Sequence, residues 1–380
     1  MDTAEKLTTC YRKLLGSVPE GIWFAPGRVN LIGEHTDYND GFVLPFALEQ
    51  RALVAARHRD DDLIVMHAMD LPETVELPLS DLKPGGGGWA AYLAGVLWAL
   101  REAGHRVGAV NLVLTSDVPL GAGLSSSAAI ECAVMAAACD LFGLEITPME
   151  RVRLAQRAEN AYVGAPTGLL DQAASTLCHA GHGIFMDCRT LETAEVPLPL
   201  REQGVEILVL DTRTPHSHVD GEYGERRATC EQAAAILGIR ALRDVTNLDA
   251  ALARLPDERM RKRVRHVVTE NDRTRAALEL AVKGNLAGIA SLLNESHASM
   301  RDDYEITVPT IDLAVETALA QGALGARMTG GGFGGCIIAW CPAGQAERIG
   351  SAIRDAFEKA GFLDPSWFTA VPSEGAGRLK

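Results

Sequence analysis

Apolar residues follow two patterns along the chain, and the first of them occupies its beginning. Short β-like runs lie there at Ile22–Ala25, Phe42–Ala47, Ala52–Arg57, Leu63–His67 and Thr74–Leu77. We expect the Ala25-Pro26-Gly27 tripeptide to break the first strand and begin a loop, since proline and glycine are the strongest local breakers. The first eighty residues therefore predict a group of β-strands.

Helical spacing appears next, in three segments. The apolar positions of the first two segments are Trp89, Tyr92, Leu93, Val96, Leu97 and Leu100, and then Ile130, Ala133, Val134, Ala137, Ala138 and Leu141. A strand is predicted between them, from Ala109 to Thr115. The third helix begins at the capping sequence Thr147-Pro148-Met149-Glu150, carries Glu159 and ends near Gly164.

The second half of the chain is mainly helical between two groups of strands. Val205–Leu210 predicts a central strand, and 221–321 is mostly helical. Ala326–Thr329 and Cys336–Trp340 predict strands joined by a glycine loop, before a helix over Gln345–Ala360. The fold class is therefore α+β. We place the boundary between two lobes near residue 190, which gives an N-terminal lobe over 1–190 and a C-terminal lobe over 191–380.

Charge and composition narrow the range of partners and locations expected for the protein. The chain has 380 residues, 47% of them hydrophobic, and a formal net charge of −14, so it can bury a large core but attracts neither nucleic acid nor an anionic membrane. The basic run from Arg259 to Arg265 is expected to be the solvated face of a helix. The eight cysteines lack a Cys-x-x-Cys pair, which favours reduced thiols and a cytoplasmic location. The charged N-terminus is not typical of a signal peptide.

A glycine- and serine-rich stretch lies between the strand at 109–115 and the next helix. It comprises Gly121, Ala122, Gly123, Leu124, Ser125, Ser126 and Ser127. Glycines let backbone N–H groups approach an anion, and a helix N-terminus adds donors and a positive dipole end. The residues therefore allow two interpretations, a phosphate-binding loop or a simple helix cap after a glycine turn.

Other nucleotide-binding templates do not fit. The chain has no Gly-Lys dipeptide, so it has no Walker A loop. Gly330–Gly335 formally matches Gly-x-Gly-x-x-Gly, but it lies between two predicted strands rather than before a helix, which disfavours a dinucleotide-binding fold. His216-Ser217-His218 is not a metal motif by itself.

A second polar segment lies nearer the N-terminus. Residues 27–41 read GRVNLIGEHTDYNDG, which is dense in charged and hydrogen-bonding side chains for a stretch between strands. Carboxylates and imidazole together can bind several sugar hydroxyls in fixed directions. A solvated loop with an internal salt bridge explains the same composition.

Three segments together resemble the galactokinase branch of the GHMP kinases. Residues 27–41 are similar, nearly letter for letter, to the galactokinase signature. VPLGAGLSSSAA at 118–129 resembles the superfamily phosphate loop, and MTGGGFGGC at 328–336 resembles its C-terminal glycine motif. The resemblance spans almost the whole chain, and it implies a two-lobe GHMP kinase fold with the active site in the cleft between the lobes.

The resemblance also implies roles for individual residues. It implies sugar contacts by Glu34, His35, Asp37, Gly168, Asp171 and Tyr223, and nucleotide contacts by Trp89 and by Gly121, Ala122, Gly123, Leu124, Ser125, Ser126 and Ser127. Ser127 and Glu159 are expected to hold Mg²⁺, with ATP as the co-substrate. Asp171 is expected to accept the proton of the sugar C1 hydroxyl or to orient that hydroxyl, and Arg28 to keep Asp171 ionised.

The implied reaction is transfer of the γ-phosphoryl group of ATP to the C1 hydroxyl of α-D-galactose, by a monomer or weak oligomer. The segment at 167–173 departs from the more common Cys-Gly-Ile-Met-Asp-Gln-Phe, since it reads Thr-Gly-Leu-Leu-Asp-Gln-Ala. This difference leaves the exact sugar open. A kinase for N-acetylgalactosamine or L-arabinose, and a non-catalytic galactose and ATP sensor, remain alternatives; the intact serine loop and Asp171 favour an enzyme.

Overall fold

Eleven α-helices, five short 3₁₀- or π-helical segments and thirteen strands form the regular structure of the part of the chain that the computed structural model describes, residues 2–214 and 219–379. The predicted His216-Ser217-His218 segment lies outside this range. The helices are α1 Thr3–Leu15, α2 Ala90–Glu102, α3 Ser126–Leu141, α4 Pro148–Arg157, α5 Leu170–Leu177, α6 Val219–Leu237, α7 Leu248–Arg254, α8 Glu258–Val282, α9 Leu286–Ser299, α10 Pro309–Ala320 and α11 Ala346–Ala360. The strands are β1 Gly21–Asn30, β2 Phe42–Val43, β3 Pro45–His58, β4 Leu63–Ala68, β5 Thr74–Pro78, β6 Val110–Ser116, β7 His182–Asp187, β8 Thr193–Pro197, β9 Val205–Asp211, β10 Gly325–Thr329, β11 Cys336–Pro342, β12 Ser366–Ala370 and β13 Gly377–Arg378.

The strands form three sheets. A six-stranded sheet has the order β13-β1-β3-β6-β4-β5, a four-stranded sheet the order β10-β11-β9-β12, and a three-stranded sheet the order β2-β7-β8. All pairs are antiparallel except β4 with β6. Helix α3 packs on β1 and β3. The start of this helix lies beside the end of β1, because the Arg28 N–H donates to the carbonyl of Leu124, two residues before α3.

The four-stranded sheet lies between two hydrophobic cores. In β9, Ile207 and Val209 belong to the core shared with the six-stranded sheet, whereas Leu208 and Leu210 belong to the core of the C-terminal half. Successive side chains of a strand point to opposite faces. An uninterrupted apolar run at 205–210 is therefore what a strand buried on both faces requires, and the prediction of a central strand is confirmed.

The first strand does not end where its proline and glycine predicted. β1 continues to Asn30, and its pairing with β3 changes register between Pro26 and Arg28. At this β-bulge the Arg28 N–H donates to the Leu124 carbonyl, 3.1 Å away, instead of to the ladder. A Cβ on Gly27 would lie 2.7 Å from the same oxygen. The breakers therefore mark a bulge, which turns Arg28 toward the glycine-serine loop at 121–127.

The expectation of a solvated basic helix face is wrong for one member. Arg263, in α8, is 2% exposed, and it donates to the Asp303 carbonyl and to the Glu305 carboxylate at 2.8 Å. The lobe boundary near residue 190 stays a prediction; β7 and β8 pair across it, and β13 returns to β1.

Two findings concern the surroundings of the protein. All eight cysteines carry free thiols, and six of them are buried. Among the described residues, no helix combines the length and the apolar character needed to cross a membrane.

Candidate active site

One cavity of about 300 Å³ collects most of the predicted site residues. Its wall includes Arg28, Glu34, His35, Asp37, Gly121, Gly123, Leu124, Ser125, Ser126, Ser127, Gly168, Asp171 and Tyr223. Three predicted residues do not line it. Ala122 is buried, Glu159 lies behind Ser127, and Trp89 lies at the start of α2, packed against the core.

Asp171 lies in the first turn of α5 and lines the cavity together with residues of the segment 27–41 and of the loop 121–127. One carboxylate oxygen, Oδ1, accepts hydrogen bonds from Arg28, with Nε at 2.8 Å and Nη2 at 2.6 Å. The other, Oδ2, accepts from the Ser125 hydroxyl at 2.5 Å. The third nitrogen of Arg28 donates to the Gly123 carbonyl at 2.6 Å. A single arginine thus connects this carboxylate to the glycine-serine loop.

The glycine-serine loop has the backbone of an anion-binding loop. Gly121, Gly123 and Ser125 all have φ near +60° to +75°, and α3 begins immediately after them at Ser126. The left-handed residues alternate with ordinary ones, which is the arrangement that directs successive N–H groups into one concavity. The Ser125 side chain does not cap the helix, so the first N–H groups of α3 are not satisfied by it.

Ser127 leads from the cavity to a buried carboxylate. Its hydroxyl donates to Glu159 Oε1 at 2.8 Å, and Glu159 Oε2 accepts from Thr167 and Gln172, each at 2.7 Å. Burial is the main reason that the pKa of Glu159 is raised, and the charge of Asp171 adds to it. Gln172 also bonds Glu131, a second buried carboxyl whose pKa burial raises well above the ordinary value.

Glu34 faces the cavity, but its carboxylate is held by the protein. Oε1 accepts from the Gly330 N–H at 2.7 Å and lies 3.2 Å from Arg327, while Oε2 is bonded by Asn30. Burial raises its pKa, and Arg327 and Arg28 oppose the rise. The side chain therefore joins the signature segment at residues 27–41, called the sugar signature below, to the C-terminal glycine motif at 328–336.

The ring of His35 is fixed in one tautomer. Its Nε2 lies 3.1 Å from the Gly331 carbonyl, which can only accept, so Nε2 carries the proton and Nδ1 accepts from the Tyr38 hydroxyl at 2.6 Å. Burial lowers the pKa of His35 to about 3. The imidazole is consequently neutral, and Tyr223 packs against it with ring centroids 5.1 Å apart.

Asp37 and Gly168 form a close contact that explains the glycine. A Cβ on Gly168 would overlap the Asp37 carboxylate, so any larger residue would displace it. Burial, and then the charge of Asp171, raise the pKa of Asp37 to about 6. Burial, together with the charges of Asp37 and Asp171, raises the pKa of Tyr223 well above 10, which keeps its hydroxyl protonated.

Several residues on the wall were not singled out from the sequence as site residues. Ala165, Pro166 and Thr167 line the cavity, as do Gly330 and Gly331 of the C-terminal glycine motif. A Cβ on Gly330 would lie 2.8 Å from the Gly123 carbonyl, so the motif packs directly against the glycine-serine loop. Thr167 is adjacent to the predicted site residue Gly168 and lies shortly before Asp171. This position is the local signal that could have identified the threonine as a site residue.

Comparison with known proteins matches this geometry to one family. Residues 9–58 match the galactokinase galactose-binding signature, residues 91–179 the GHMP kinase N-terminal domain and residues 277–359 the GHMP kinase C-terminal domain. The chain is 54% identical over 374 residues to the galactokinase of Streptomyces coelicolor, with 97% of each chain covered. It is 45% identical to the galactokinase of Mycobacterium tuberculosis, covering 94% of this chain and 98% of that one.

Solved structures agree with the sequence matches. The crystal structure of Lactococcus lactis galactokinase complexed with galactose superposes with a TM-score of 0.96 at 35% identity and covers both chains completely. The Methanococcus jannaschii mevalonate kinase shares the fold, with a TM-score of 0.67 at 17% identity over 93% of this chain and 98% of that one. The α+β, two-domain GHMP kinase fold is therefore confirmed, and the chain belongs to the galactokinase family of the GHMP kinases.

Proposed function

We propose that this ATP-dependent sugar kinase transfers the γ-phosphoryl group of ATP to the C1 hydroxyl of α-D-galactose, giving galactose 1-phosphate and ADP. The observation that supports this most directly is the position of Asp171. Its carboxylate lies in one cavity with the sugar signature on one side and the glycine-serine loop on the other. Phosphoryl transfer depends mainly on positioning and charge stabilisation, which this arrangement can provide.

Asp171 accepts the proton of the attacking hydroxyl, or orients that hydroxyl, in the proposed reaction. Arg28 and Ser125 hold both carboxylate oxygens, so the group has a fixed direction before the sugar binds. The cationic Arg28 pairs with this carboxylate, with Nη2 2.6 Å from Oδ1. Because Arg28 also touches Gly123, it can balance charge on the phosphoryl group as it moves from the loop to the sugar.

Sugar recognition is assigned to Glu34, His35, Asp37, Gly168 and Tyr223, and phosphate binding to residues 121–127. Within this set, Asp37 has a carboxylate that forms no ion pair with an arginine in the part of the chain that the structure describes. It is therefore the residue best suited to accept hydrogen bonds from sugar hydroxyls. Trp89 is proposed to border the adenine.

The residues around Glu159 fit a divalent cation. Glu159 and Glu131 are buried carboxyls with raised pKa values, and their hydrogen-bond donors, Ser127, Thr167 and Gln172, are all neutral. Oxygen ligands of this kind suit Mg²⁺, which is commonly held by one or two protein groups together with substrate phosphates. We assign Ser127 and Glu159 to hold it; the ion would neutralise charge on the phosphates during transfer.

A coupled ADP-release assay with Mg-ATP tests the substrate. We expect strong turnover with galactose and little with N-acetylgalactosamine, L-arabinose, glucose or mevalonate. Turnover with another sugar alone would replace the substrate while keeping the mechanism. Galactose binding without turnover would favour a sensor. We further propose a cytoplasmic location and a monomer or weak oligomer.

The Asp171→Ala variant tests the mechanism in the same assay. It should reduce kcat by about 10²–10⁴-fold, the range that general base catalysis contributes. The melting temperature serves as the folding control. Near wild-type turnover would remove Asp171 from the mechanism.

A further inference from the structure

The turn at Gly33–His35 has an unusual backbone that creates a small anion-binding concavity. Gly33 has φ of 100° and His35 has φ of 60°, so left-handed residues flank Glu34. The N–H groups of Gly33 and Glu34 point to the same side, as in the nests that bind anions. Both face Glu270 Oε1, at 3.0 Å and 3.4 Å. A carboxylate of the protein itself fills this nest.

Glu270 is built to remain an anion in this place. It is fully buried in α8, and it also accepts from Ser296 at 2.7 Å and from Arg273 Nε at 2.8 Å. Burial alone would raise its pKa, but Arg273 and Arg327 lower it to about 2. The charge is therefore retained at neutral pH, where two backbone donors and two side chains compensate it.

His266 holds the same turn from one helical turn earlier. Its Nε2 lies 3.1 Å from the Glu34 carbonyl, and its Nδ1 lies 2.9 Å from the Ser299 hydroxyl. Because a carbonyl only accepts, Nε2 donates and Nδ1 accepts. Burial lowers the pKa of His266 to about 4, which keeps this single neutral tautomer. Glu270 and His266 thus bind the N–H groups and the carbonyl of one peptide segment.

The two glycines at the ends of the segment both lie close to the same helix. A Cβ on Gly33 would lie 2.5 Å from the Phe42 carbonyl and 3.1 Å from the Thr274 hydroxyl. A Cβ on Gly41 would overlap Asn271, whose side-chain oxygen accepts from the Phe42 N–H at 2.9 Å. The polar face of α8 therefore approaches the backbone of residues 33–42 at both ends.

We propose that Glu270 and His266 are positioning residues for sugar recognition. They lie outside the galactose-binding signature and the C-terminal domain match, at 9–58 and 277–359. By fixing the peptide groups of residues 33–35, they aim Glu34, His35 and Asp37 into the cavity without contacting the sugar. This inference rests on the proposed function, which it extends to a helix of the C-terminal half.

Steady-state kinetics of Glu270→Gln tests the proposal. The amide has the same shape but lacks the charge, and it places an N–H₂ group against the nest or against Arg273. We expect the galactose KM to rise about tenfold or more, as for loss of a charge-assisted hydrogen bond, and the ATP KM to stay within about twofold. His266→Asn should act in the same direction by about threefold, and it decides the question if Glu270→Gln does not fold.

Val267→Ala is the matched control. Val267 lies next to His266 on α8 but packs into the core of the C-terminal half, so its loss lowers the melting temperature without touching the turn. We expect an unchanged galactose KM. The proposal is overturned if the Glu270 and His266 variants change the galactose KM no more than this control does, or raise both KM values equally. Wild-type turnover tests the proposed function separately; if the wild type uses another sugar, the same comparison is made with that sugar.

Discussion

The position of Asp37 in the cavity favours ligand binding but lowers the stability of the fold. Its carboxylate shares a cavity with Asp171, and burial together with that neighbour raises its pKa to about 6. A raised pKa means that the folded state binds a proton more tightly than the unfolded chain does. The ionised form at neutral pH therefore destabilises the fold, which is a common property of binding sites.

Asp37→Asn should separate these two effects. We expect the free energy of unfolding at about pH 7.5 to rise by about 1–2 kcal/mol, below the value for two full pKa units because the cleft is open to water. The gain should shrink as the pH falls through 6 and vanish below about 4, where wild-type Asp37 is protonated in both states. The galactose KM should rise about tenfold while the ATP KM stays nearly constant. Urea titrations across pH and steady-state kinetics measure both. A variant less stable than wild type at neutral pH, or equal losses of both substrates, contradicts the assignment.

Local sequence could predict residues such as Asp37, but not Glu270 and His266. The signature, the serine loop and the segment around Asp171 concentrate glycines with chemically distinctive side chains over short stretches. Glu270 instead lies in a 25-residue helix rich in charges, where a buried carboxylate looks like any solvated one. Arg263 was misjudged for the same reason. Only the docking of α8 on residues 33–42 distinguishes its buried polar positions.

At the scale of elements, two crossed ion pairs join the turn after β7 to the short helical turn at 242–244. Arg243 forms a bidentate ion pair with Asp187, with Nη–Oδ distances of 2.5 Å and 2.7 Å. Arg189 forms another with Asp244, with Nη–Oδ distances of 2.7 Å and 2.9 Å. Arg189 and Arg243 also bond Asp40, at the end of the sugar signature. These pairs are partly shielded, so they should contribute more than exposed pairs do.

A double-mutant cycle with Asp187→Asn and Arg243→Gln measures this contribution. We expect a coupling energy of about 1–2 kcal/mol in urea denaturation, because the contact is bidentate and Asp187 is only 15% exposed. Although partial burial favours the neutral form, Arg243 holds the pKa of Asp187 below its usual range, so the coupling should persist at neutral pH and be lost in acid below about pH 4. The exposed pair Glu279 and Lys283 is the control and should couple by less than about 0.5 kcal/mol. Equal coupling in the two cycles would argue against a special role for this contact.

Element prediction succeeded for several segments in which one periodicity dominated, but it failed at β1. It also divided β3 (Pro45–His58) between two predicted strands, Phe42–Ala47 and Ala52–Arg57. The helix at Ala346–Ala360 and the strands Val205–Asp211 and Val110–Ser116 agree with their expected positions within about one or two residues. Pro26 and Gly27 were interpreted as a strand end, because local breakers act in the same way at a loop and at a bulge. The pairing of β1 with β3 on both sides of the bulge is long-range, and it decides between the two.

At the scale of the whole molecule, the two halves are tied together through the sugar signature. Arg327, in β10, is completely buried, and it donates to the Leu31 carbonyl at 2.7 Å as well as contacting Glu34 at 3.2 Å. Strand β13, near the end of the described chain, pairs with β1, and β9 contributes to both cores. Loss of the C-terminal packing should therefore loosen the site in the N-terminal half, and the chain should unfold as a cooperative unit.

Arg327→Met tests this coupling. Removing one partner of a buried ion pair leaves the other charge buried without a partner, which lowers the free energy of unfolding by about 3–5 kcal/mol. Glu34 already has a pKa raised by burial, so it can take up a proton once Arg327 is gone, and we expect a loss of about 3 kcal/mol, at the lower end of that range.

Without the opposing arginine, the folded-state pKa of Glu34 rises further. The folded variant then binds a proton that the unfolded chain releases, so its deficit should be larger at about pH 8 than at about pH 6. Adding Glu34→Gln should remove the part of this pH dependence that comes from Glu34 and recover part of the stability, while the buried Glu270 keeps its partner Arg273. Arg354→Met, at an exposed position, is the control and should change stability by less than about 0.5 kcal/mol. A small loss that does not depend on pH would mean that water or a rearranged side chain replaces Arg327, and that the halves are joined mainly by their shared apolar core.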